Sequence, residues 1–471
     1  MDASFHRAGW VANSNIYEVN LRQYTPEGSF NAFVREMPRL KDMGIDILWF
    51  MPITPISQQG RKGRLGSYYA CSDYTATNPE FGGLEDFSQL VRTAHELGMK
   101  VIIDIVANHT GWDHRWTREH PEYYRKNQDG HFYDSHGWED VIDLNFDNKE
   151  MRRAMIDAMI FWLKECDIDG YRCDMAMLVP LDFWKEARTE IDKLKPDLFW
   201  LAECEEIAYH EVFDATYTWK FLHKMEAVWR RESGLDGLDE VLHYYGSMFP
   251  PDAIRVYFTS NHDENSHSGS EYERMGQAAR AFAVICATLY GMPMIYSGQE
   301  MPNYKRLAFF DKDPIAWTGQ YELHGFYKAL LECRKRNAAL RGGDPATSTR
   351  RIHTDGRCFG FVRCLGLNVQ KAGLPGNVAR FPEEDLRRSS EPSLLLGRDL
   401  AVISDPSDNE PPARSGNEVL VLTNISGEPL TVPASDLQVS GTFRDIFTGM
   451  EFHGEGAIRI EPWGYRVMEK K

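Results

Sequence analysis

The sequence predicts an α/β fold, namely a (β/α)8 TIM barrel with a short insertion after its third strand and a C-terminal antiparallel β domain. Short β-branched or aromatic runs alternate with segments of helical period through about residue 340, and eight such runs occur. After that point, short strands separated by turn residues replace the alternation. Strand–helix alternation implies parallel strands with helical crossovers, and eight repeats favour a closed barrel over an open doubly wound sheet.

The eight predicted barrel strands are short, apolar and rich in β-branched or aromatic residues. They span residues 16–20, 45–50, 101–105, 168–173, 199–202, 215–218, 255–259 and 294–296. The clearest helix between them runs from Leu84 to Leu97, where apolar residues recur every three or four positions and Gly98 follows as a terminator. Further helices are predicted at about 149–166 and 275–290. Neither G-x-G-x-x-G after the first strand nor G-x-x-x-x-G-K-[ST] occurs, so nucleotide-binding folds lack their usual motifs.

The pattern divides the chain into two domains. Residues 1–341 form the predicted catalytic barrel, with 110–141 as an inserted subdomain rich in His, Trp, Tyr, Asp and Gly. Residues 342–471 form a predicted β-sandwich-like domain with strands at 418–422, 431–433 and 457–460. A loop insertion at about 366–416 is predicted from its Pro, Ser, Arg and Asp clusters.

Composition excludes several classes of function. Lys and Arg total 53 against 70 Asp and Glu, so the net charge is −17, which argues against nucleic-acid partners and anionic membrane surfaces. No apolar run approaches the roughly 18 residues of a membrane span. Residues 1–15 do not resemble a signal peptide, and the eight cysteines are scattered without a C-x-x-C pair, which predicts buried, reduced thiols and a cytoplasmic location.

Polar side chains concentrate where the predicted strands end, which is the catalytic face of a barrel. Asp174 follows the fourth strand, Glu203 the fifth and Asp263 the seventh. A single acid at a strand end often caps the next helix. Three acids accompanied by His109, Arg172 and His262 instead indicate either metal binding or acid/base and nucleophilic chemistry.

The choice between these two chemistries depends on spacing. Zinc binding has little support because no H-x-x-x-H or H-x-H pair includes either histidine. Glycoside hydrolysis needs an acid that protonates the leaving oxygen, a carboxylate that attacks the anomeric carbon, and further negative charge near the oxocarbenium-like transition state. Arg172 beside Asp174 would favour an ionised nucleophile, and Glu203 after apolar residues could stay protonated near neutrality.

These motifs together resemble those of the α-amylase family of glycoside hydrolases. The resemblance covers most of the chain and rests on DIVANH (104–109), GYRCD (170–174), AE (202–203) and FTSNHD (258–263). Weaker support comes from GIDILWFMP (44–52), DLN (143–145) and GMPMIYSGQE (291–300). It implies a retaining mechanism with Asp174 as nucleophile, Glu203 as general acid/base and Asp263 as transition-state stabiliser.

The resemblance also implies substrate-binding residues. His109, Arg172 and His262 would hold the glucose unit on the nonreducing side of the cleaved bond. Tyr69, four residues before Asp73 in YACSDY, matches the family's stacking tyrosine, although the adjacent Tyr68 competes for that role.

Departures from the family pattern concern the acceptor side and the metal. Met177 and Leu178 stand where many α-amylases carry Lys and His. The loop at 19–30 lacks the D-x-[DN]-x-[DN]-G run of a bound cation. Asn108 and Asn145 could ligate Ca²⁺, but a lone Asn more often hydrogen bonds within the protein, so the expectation is no metal and no required cofactor, with Ca²⁺ as the alternative.

The leading hypothesis is an α-1,4-glucan hydrolase acting on starch-like glucans or maltooligosaccharides. Within the same family, an α-glucosidase, an α-1,6-acting oligosaccharide hydrolase or a transglycosylase would use the same covalent intermediate. A non-catalytic barrel homologue acting as a binding or transport partner is the alternative from another class. The complete set of three acids and the absence of an apolar span argue against it.

Overall fold

The computed structural model describes residues 5–352, 354, 356–366 and 417–471. Strands β1 to β10 are, in chain order, Ile16–Val19, Ile47–Phe50, Lys100–Ile105, His109–Gly111, Val141–Asp143, Gly170–Cys173, Phe199–Ala202, Ala215–Tyr217, Ile254–Tyr257 and Met292–Tyr296. Eight of them close into a parallel barrel in the order β1-β2-β3-β6-β7-β8-β9-β10. All eight predicted barrel strands are present, so the predicted barrel is confirmed.

Helices alternate with these strands and cover the barrel. Helices α1 to α13 are Leu21–Tyr24, Phe30–Val34, Met37–Met43, Leu84–Glu96, Trp116–Glu119, Lys149–Cys166, Leu181–Asp192, Trp219–Trp229, Asp236–Met248, Glu271–Met275, Ala279–Thr288, His324–Arg336 and Ala434–Leu437. The side chain of Asn148 accepts N–H bonds from Glu150 and Met151, which explains where α6 begins. The helix predicted at 275–290 is shorter than expected, because Gly276 separates α10 from α11.

Strand register places the polar strand ends side by side. Asp104 on β3 lies opposite Arg172 on β6, and Cys173 on β6 lies opposite Ala202 on β7. The ladder continues past the strands, since the Asp174 N–H donates to Ile105 O at 3.0 Å and the Glu203 N–H donates to Cys173 O at 3.0 Å. Two acids that are distant in sequence therefore leave adjacent strands at one level.

The insertion after the third barrel strand is closed by a small antiparallel pair. Strand β4 pairs with β5 in a register that sets His109 opposite Asp143 and Gly111 opposite Val141. The residues between them include α5 and lie on the side of the barrel where the acids emerge. Because β4 begins four residues after β3 ends, the insertion is fixed directly to the catalytic face.

The C-terminal part is antiparallel, as predicted. Strands β11 to β18 are Thr347–Ile352, Cys358–Leu365, Glu418–Asn424, Leu430–Pro433, Phe443–Asp445, Glu451–Phe452, Ala457–Ile460 and Tyr465–Lys470. Six of them form one sheet, β11-β12-β13-β18-β15-β16, while β14 pairs with β17. The insertion predicted at 366–416 lies, from residue 367 onward, outside the described residues.

One hydrophobic core joins the barrel to the C-terminal sheet. Phe359, Val421 and Val467 from the sheet belong to the same buried cluster as the barrel strands. All eight cysteines are buried, including Cys173 and Cys204, which directly neighbour the two central acids. Among the described helices, none is long and apolar enough to cross a membrane.

Candidate active site

A single buried arginine joins the acids at the carboxyl ends of the central strands. Arg172 Nη1 lies 2.9 Å from Asp174 Oδ1, and Nη2 lies 2.9 Å from Glu203 Oε2. Nη1 also donates to Asp104 Oδ2 at 3.0 Å. The guanidinium group packs against the Trp49 ring, with Cζ 4.8 Å from the ring centroid, and is fully buried. The register of β3, β6 and β7 thus gathers three carboxylates around one cation.

Glu203 is oriented by the backbone that follows Asp174. The Met175 N–H donates to Glu203 Oε2 at 2.8 Å. To present this N–H, Met175 adopts the left-handed region, with φ 39° and ψ 47°. That conformation costs a non-glycine residue about 1–3 kcal/mol and persists where the surrounding structure enforces it. The strained backbone at Met175, next to Asp174, therefore fixes the position of Glu203.

His262 connects the seventh strand end to the first strand. Its Nδ1 lies 2.5 Å from Oε1 of the buried Glu18, and its Nε2 lies 3.2 Å from Asp263 Oδ2. Burial alone would lower the pKa of His262, but the charges of Asp263 and Glu18 raise it to about 9. His262 is therefore a cation near neutral pH. Asp263 is the more open acid, with its side chain 40% exposed against 8% for Asp174.

Tyr69, the predicted stacking residue, lies beside the acid cluster and packs against His262 and Phe309. Its ring is nearly parallel to that of His262, at 5.4 Å and 19°, and to that of Phe309, at 6.3 Å and 16°. Its hydroxyl group lies 2.7 Å from His262 Nε2 and donates to Asp104 Oδ2 at 3.2 Å. Tyr68, the competing residue, is buried and donates to Asn20 instead.

His109 lies at the edge of the cluster, on the insertion side. Its ring meets Trp138 edge to face at 5.3 Å, and its Nδ1 lies 3.2 Å from Asn108 Nδ2. Burial lowers the pKa of His109 to about 4, so the imidazole is neutral near pH 7. The backbone of Tyr69 lies within hydrogen-bonding range of this ring. The structure therefore brings His109 to Tyr69 rather than into direct contact with the acids.

The acid cluster holds more negative charge than Arg172 can compensate. Burial raises the pKa of both Asp174 and Glu203 to about 7, against the lowering effect of Arg172. Burial likewise raises the pKa of Asp104 to about 6. The charge of Asp263 contributes to the rise at Asp174 and at Glu203, which places all three predicted acids within one electrostatic unit. Pairing with Arg172 alone does not dictate an ionised Asp174, because the guanidinium is shared.

Sequence reasoning did not assign roles to Asp104, Glu18 or Phe309. Asp104 stands inside the DIVANH motif and binds Arg172 and Tyr69. Glu18 is the one charged residue in the apolar strand IYEV, and a charge in a buried strand could have indicated a functional role. Phe309 follows the last barrel strand in an irregular segment, where no periodicity marks it.

Asn108 and Asn145, the residues considered for Ca²⁺, both make contacts within the protein. Asn145 Oδ1 accepts the Asp147 N–H at 3.2 Å within a turn, and the Asn108 side chain contacts His109. Calcium requires six to eight oxygen ligands, usually including carboxylates. Across the described part of the chain, no group of three His, Cys, Asp or Glu side chains is placed to hold a metal ion.

Comparison with known proteins identifies the family of the chain. A buried pair of acids at the carboxyl ends of barrel strands supplies the two carboxyl groups that glycoside hydrolysis uses. The model of the α-amylase catalytic domain matches residues 7–139 and 122–316. The chain therefore belongs to the α-amylase family of glycoside hydrolases.

Individual relatives are similar at modest identity. Alpha-amylase 3 of Dictyoglomus thermophilum is 27% identical over 450 residues, covering 79% of this chain and 86% of that protein. Alpha-amylase MalA of Haloarcula japonica is 29% identical over 70% of this chain, which spans only 50% of that longer protein. The crystal structure of an alpha-amylase from Lactobacillus plantarum is 26% identical, with a TM-score of 0.78 and coverage of 98% of this chain and 99% of that chain.

Proposed function

We propose that the chain hydrolyses α-1,4-glucosidic bonds in starch-like glucans and maltooligosaccharides, with retention of configuration and through a covalent glucosyl-enzyme. As a member of its family it is an α-1,4-glucan hydrolase. The supporting observation is the contact of Asp174 and Glu203 with one guanidinium group from adjacent strand ends. A shared guanidinium favours the carboxyl separation of about 5–5.5 Å in retaining enzymes over the 6.5–9.5 Å of inverting ones.

In the first step, Asp174 attacks the anomeric carbon while Glu203 gives its proton to the departing glycosidic oxygen. The bond to the leaving chain breaks, and an ester between Asp174 and the glucosyl unit forms. In the second step, Glu203, now ionised, takes a proton from water as the water oxygen attacks the same carbon. The ester bond breaks, Asp174 regains its negative charge, and Glu203 is again protonated.

The hydrogen bonds of Arg172 support this division of roles. Its Nη1 donates to Asp174 and to Asp104, which stabilises these two groups as carboxylates. Its Nη2 approaches Glu203 without an aligned hydrogen bond, so the Met175 N–H stabilises the Glu203 carboxylate but no guanidinium hydrogen bond does. A cluster that must keep a proton near neutrality therefore keeps it on Glu203, as a general acid requires.

The remaining residues position the sugar and the charges. Asp263, the most open of the acids, stabilises the positive charge that develops on the sugar ring. His262 as a cation, together with Arg172 and His109, holds hydroxyl groups of the glucose unit, and the Tyr69 ring supports its C–H face. Asp104 and Glu18 position Arg172 and His262 rather than contacting substrate.

The product pattern on soluble starch, pullulan and a maltooligosaccharide ladder tests this function. Mixed maltooligosaccharides from starch are the expected result. Release of terminal glucose alone, or the appearance of lengthened chains, would replace it with an α-glucosidase or a transglycosylase. Cleavage of pullulan at its α-1,6 bonds would contradict the α-1,4 preference.

The eight buried cysteines support a reducing, cytoplasmic location.

A further inference from the structure

A buried arginine lies between the barrel wall and α9. Arg255 is the second residue of β9 and is only 4% exposed. Its guanidinium group packs against two rings, with Cζ 4.9 Å from the ring centroid of Tyr245 in α9 and 5.1 Å from that of Phe249, which directly follows α9. Because α9 covers the outside of the barrel, this guanidinium points away from Arg172 and the catalytic acids.

The charge of Arg255 has no counter-ion within the part of the chain that the structure describes. Three acids in this region are already paired with other cations. They are Asp252 with Arg7 at 3.7 Å, Asp214 with Arg188 at 3.0 Å, and Glu205 with Lys220 at 3.3 Å. The rings of Tyr245 and Phe249 attract the cation but bring no negative charge. Arg255 is therefore a buried charge without compensation.

The hydrogen bonds of Arg255 are also incomplete. Its Nε and Nη1 are buried and have no hydrogen-bond partner among the described residues. The Tyr257 hydroxyl group lies within hydrogen-bonding range of Arg255, but it is neutral near pH 7 because burial raises the pKa of Tyr257. Burying an ionised group without a partner is strongly unfavourable, and arginine does not lose its proton in proteins. The surroundings of Arg255 therefore favour a negative charge.

A histidine shares the neighbours of Arg255. Thr216 on β8 lies opposite Arg255 in the β8–β9 register, so both side chains point to the same face of the sheet. Thr216 Oγ1 lies 2.9 Å from His210 Nε2. The His210 ring meets Phe249 edge to face at 5.5 Å, and Phe249 is one of the two rings that contact Arg255. Like Arg255, His210 has a buried nitrogen, Nδ1, without a hydrogen-bond partner among the described residues.

Positive charge dominates the surroundings of His210. Burial, together with the charges of Arg255 and Arg7, lowers the pKa of His210 to about 3, so the imidazole is neutral near pH 7. In the tautomer that accepts the Thr216 hydroxyl proton at Nε2, Nδ1 is a hydrogen-bond donor. Nε of Arg7 is a further buried N–H group without a partner among the described residues. Three side chains thus offer N–H donors around a charge that is not compensated.

We infer that Arg255, His210 and Thr216 form a binding site for a small inorganic anion, either a halide or an oxyanion such as phosphate, beneath α9. The anion neutralises Arg255 and accepts hydrogen bonds from N–H groups that lack a partner. A water molecule would accept such a bond but would leave the charge uncompensated. Because the site lies outside the barrel wall, the anion contacts neither the substrate nor the catalytic acids. It binds only the folded chain and so raises its stability, whatever reaction the chain catalyses.

The test measures thermal unfolding at pH 7.5 while sodium chloride or sodium phosphate replaces sodium HEPES at constant ionic strength. HEPES is a bulky sulfonate that a site covered by α9 excludes. Isothermal titration with each anion gives the Kd and the number of sites per chain. The variants are Arg255→Met, which removes the charge, and His210→Phe, which removes Nδ1 but keeps a ring against Phe249. Arg280→Met is the control, because it removes an exposed arginine elsewhere on the chain.

In wild type, Tm should rise with anion concentration and level off about 3 °C higher near 100 times the Kd, with one site per chain. Arg255→Met should lose both the rise and the binding, His210→Phe should bind about tenfold more weakly, and Arg280→Met should behave as wild type. A response to chloride alone identifies a halide site and a response to phosphate alone an oxyanion site, and either result supports the inference.

A wild-type Tm that neither anion changes would overturn the inference, as would an equal rise in Arg255→Met, which would show a general salt effect. An unchanged Kd in His210→Phe would also overturn it, so the test stays decisive if Arg255→Met does not fold.

Discussion

Replacing Asp174 by Asn should abolish turnover and at the same time stabilise the fold. The folded state holds Asp174 in a crowded acid cluster, where burial raises the pKa of this carboxyl from 3.8 to about 7. A folded pKa above the unfolded one means that folding favours the protonated form. The stability associated with this group is therefore complete below about pH 4 and is lost as the pH rises through 7.

The size of the effect follows from that shift. A rise of about 3 pKa units corresponds to about 4 kcal/mol of destabilisation once the carboxyl is ionised, at 1.36 kcal/mol per unit. The raised pKa already includes the lowering effect of Arg172, so the amide, like the protonated acid, avoids this cost. The gain at pH 7.5 is therefore up to about 4 kcal/mol, or roughly 4 °C in Tm for a chain of 471 residues.

The assay is thermal unfolding of wild type and Asp174→Asn at pH 4.5 and pH 7.5, together with kcat on maltooligosaccharides. The variant should have the higher Tm at pH 7.5, and the difference should shrink to about a quarter at pH 4.5. The kcat of the variant should fall by about 10⁴-fold or more. Asp42→Asn is the matched control, because Lys328 and His324 lower the pKa of Asp42 and its loss should not stabilise the fold. A pH-independent Tm difference, or a less stable variant at pH 7.5, would refute the claim that ionised Asp174 destabilises the fold.

Three further predictions concern the partners of Asp174. Glu203→Gln should lose activity on maltooligosaccharides but regain part of it with azide on substrates that have good leaving groups; equal loss on both would argue against the acid role. In wild type, kcat/KM should fall as pH rises past about 7, because the pKa of Glu203 is about 7 and the acid must be protonated, and Glu203→Gln should abolish this limb. Glu18→Gln should lower the pKa of His262 from about 9 and reduce kcat/KM about tenfold. An NMR titration that gives His262 the same pKa in the variant and in wild type would contradict this.

The sequence predicts the barrel because each strand and helix has its own local signal. The acids at positions 174, 203 and 263 could be located without a structure, since the carboxyl ends of parallel strands share one face of a barrel. Strand register then decides which acids meet. Asp104 lies opposite Arg172 only because β3 pairs with β6 in one register, and no sequence period encodes that pairing.

Other parts of the site depend on contacts between distant segments. Met175 adopts a left-handed backbone conformation, which the sequence does not predict because the residue is not glycine. The stacking of Phe309 on Tyr69 is equally hidden, because the two residues lie 240 positions apart. The ring of Trp229 in the barrel meets that of Trp463 in the C-terminal part edge to face, and neither half of the sequence predicts this contact. The pKa values of the acids also depend on burial, which a motif does not specify. From the sequence, Arg172 beside Asp174 predicts an ionised acid. In the structure, burial and the sharing of one guanidinium by several acids leave a proton in the cluster.

The most direct test of the mechanism is to trap the covalent intermediate. The enzyme is incubated with a 5-fluoro-α-glucosyl fluoride, which slows the second step more than the first, and the labelled peptide is sequenced by mass spectrometry. The account predicts one glucosyl group per chain, attached to Asp174, and loss of the label in Asp174→Asn. A label on Glu203 or Asp104, or hydrolysis with inversion and no label, would contradict it.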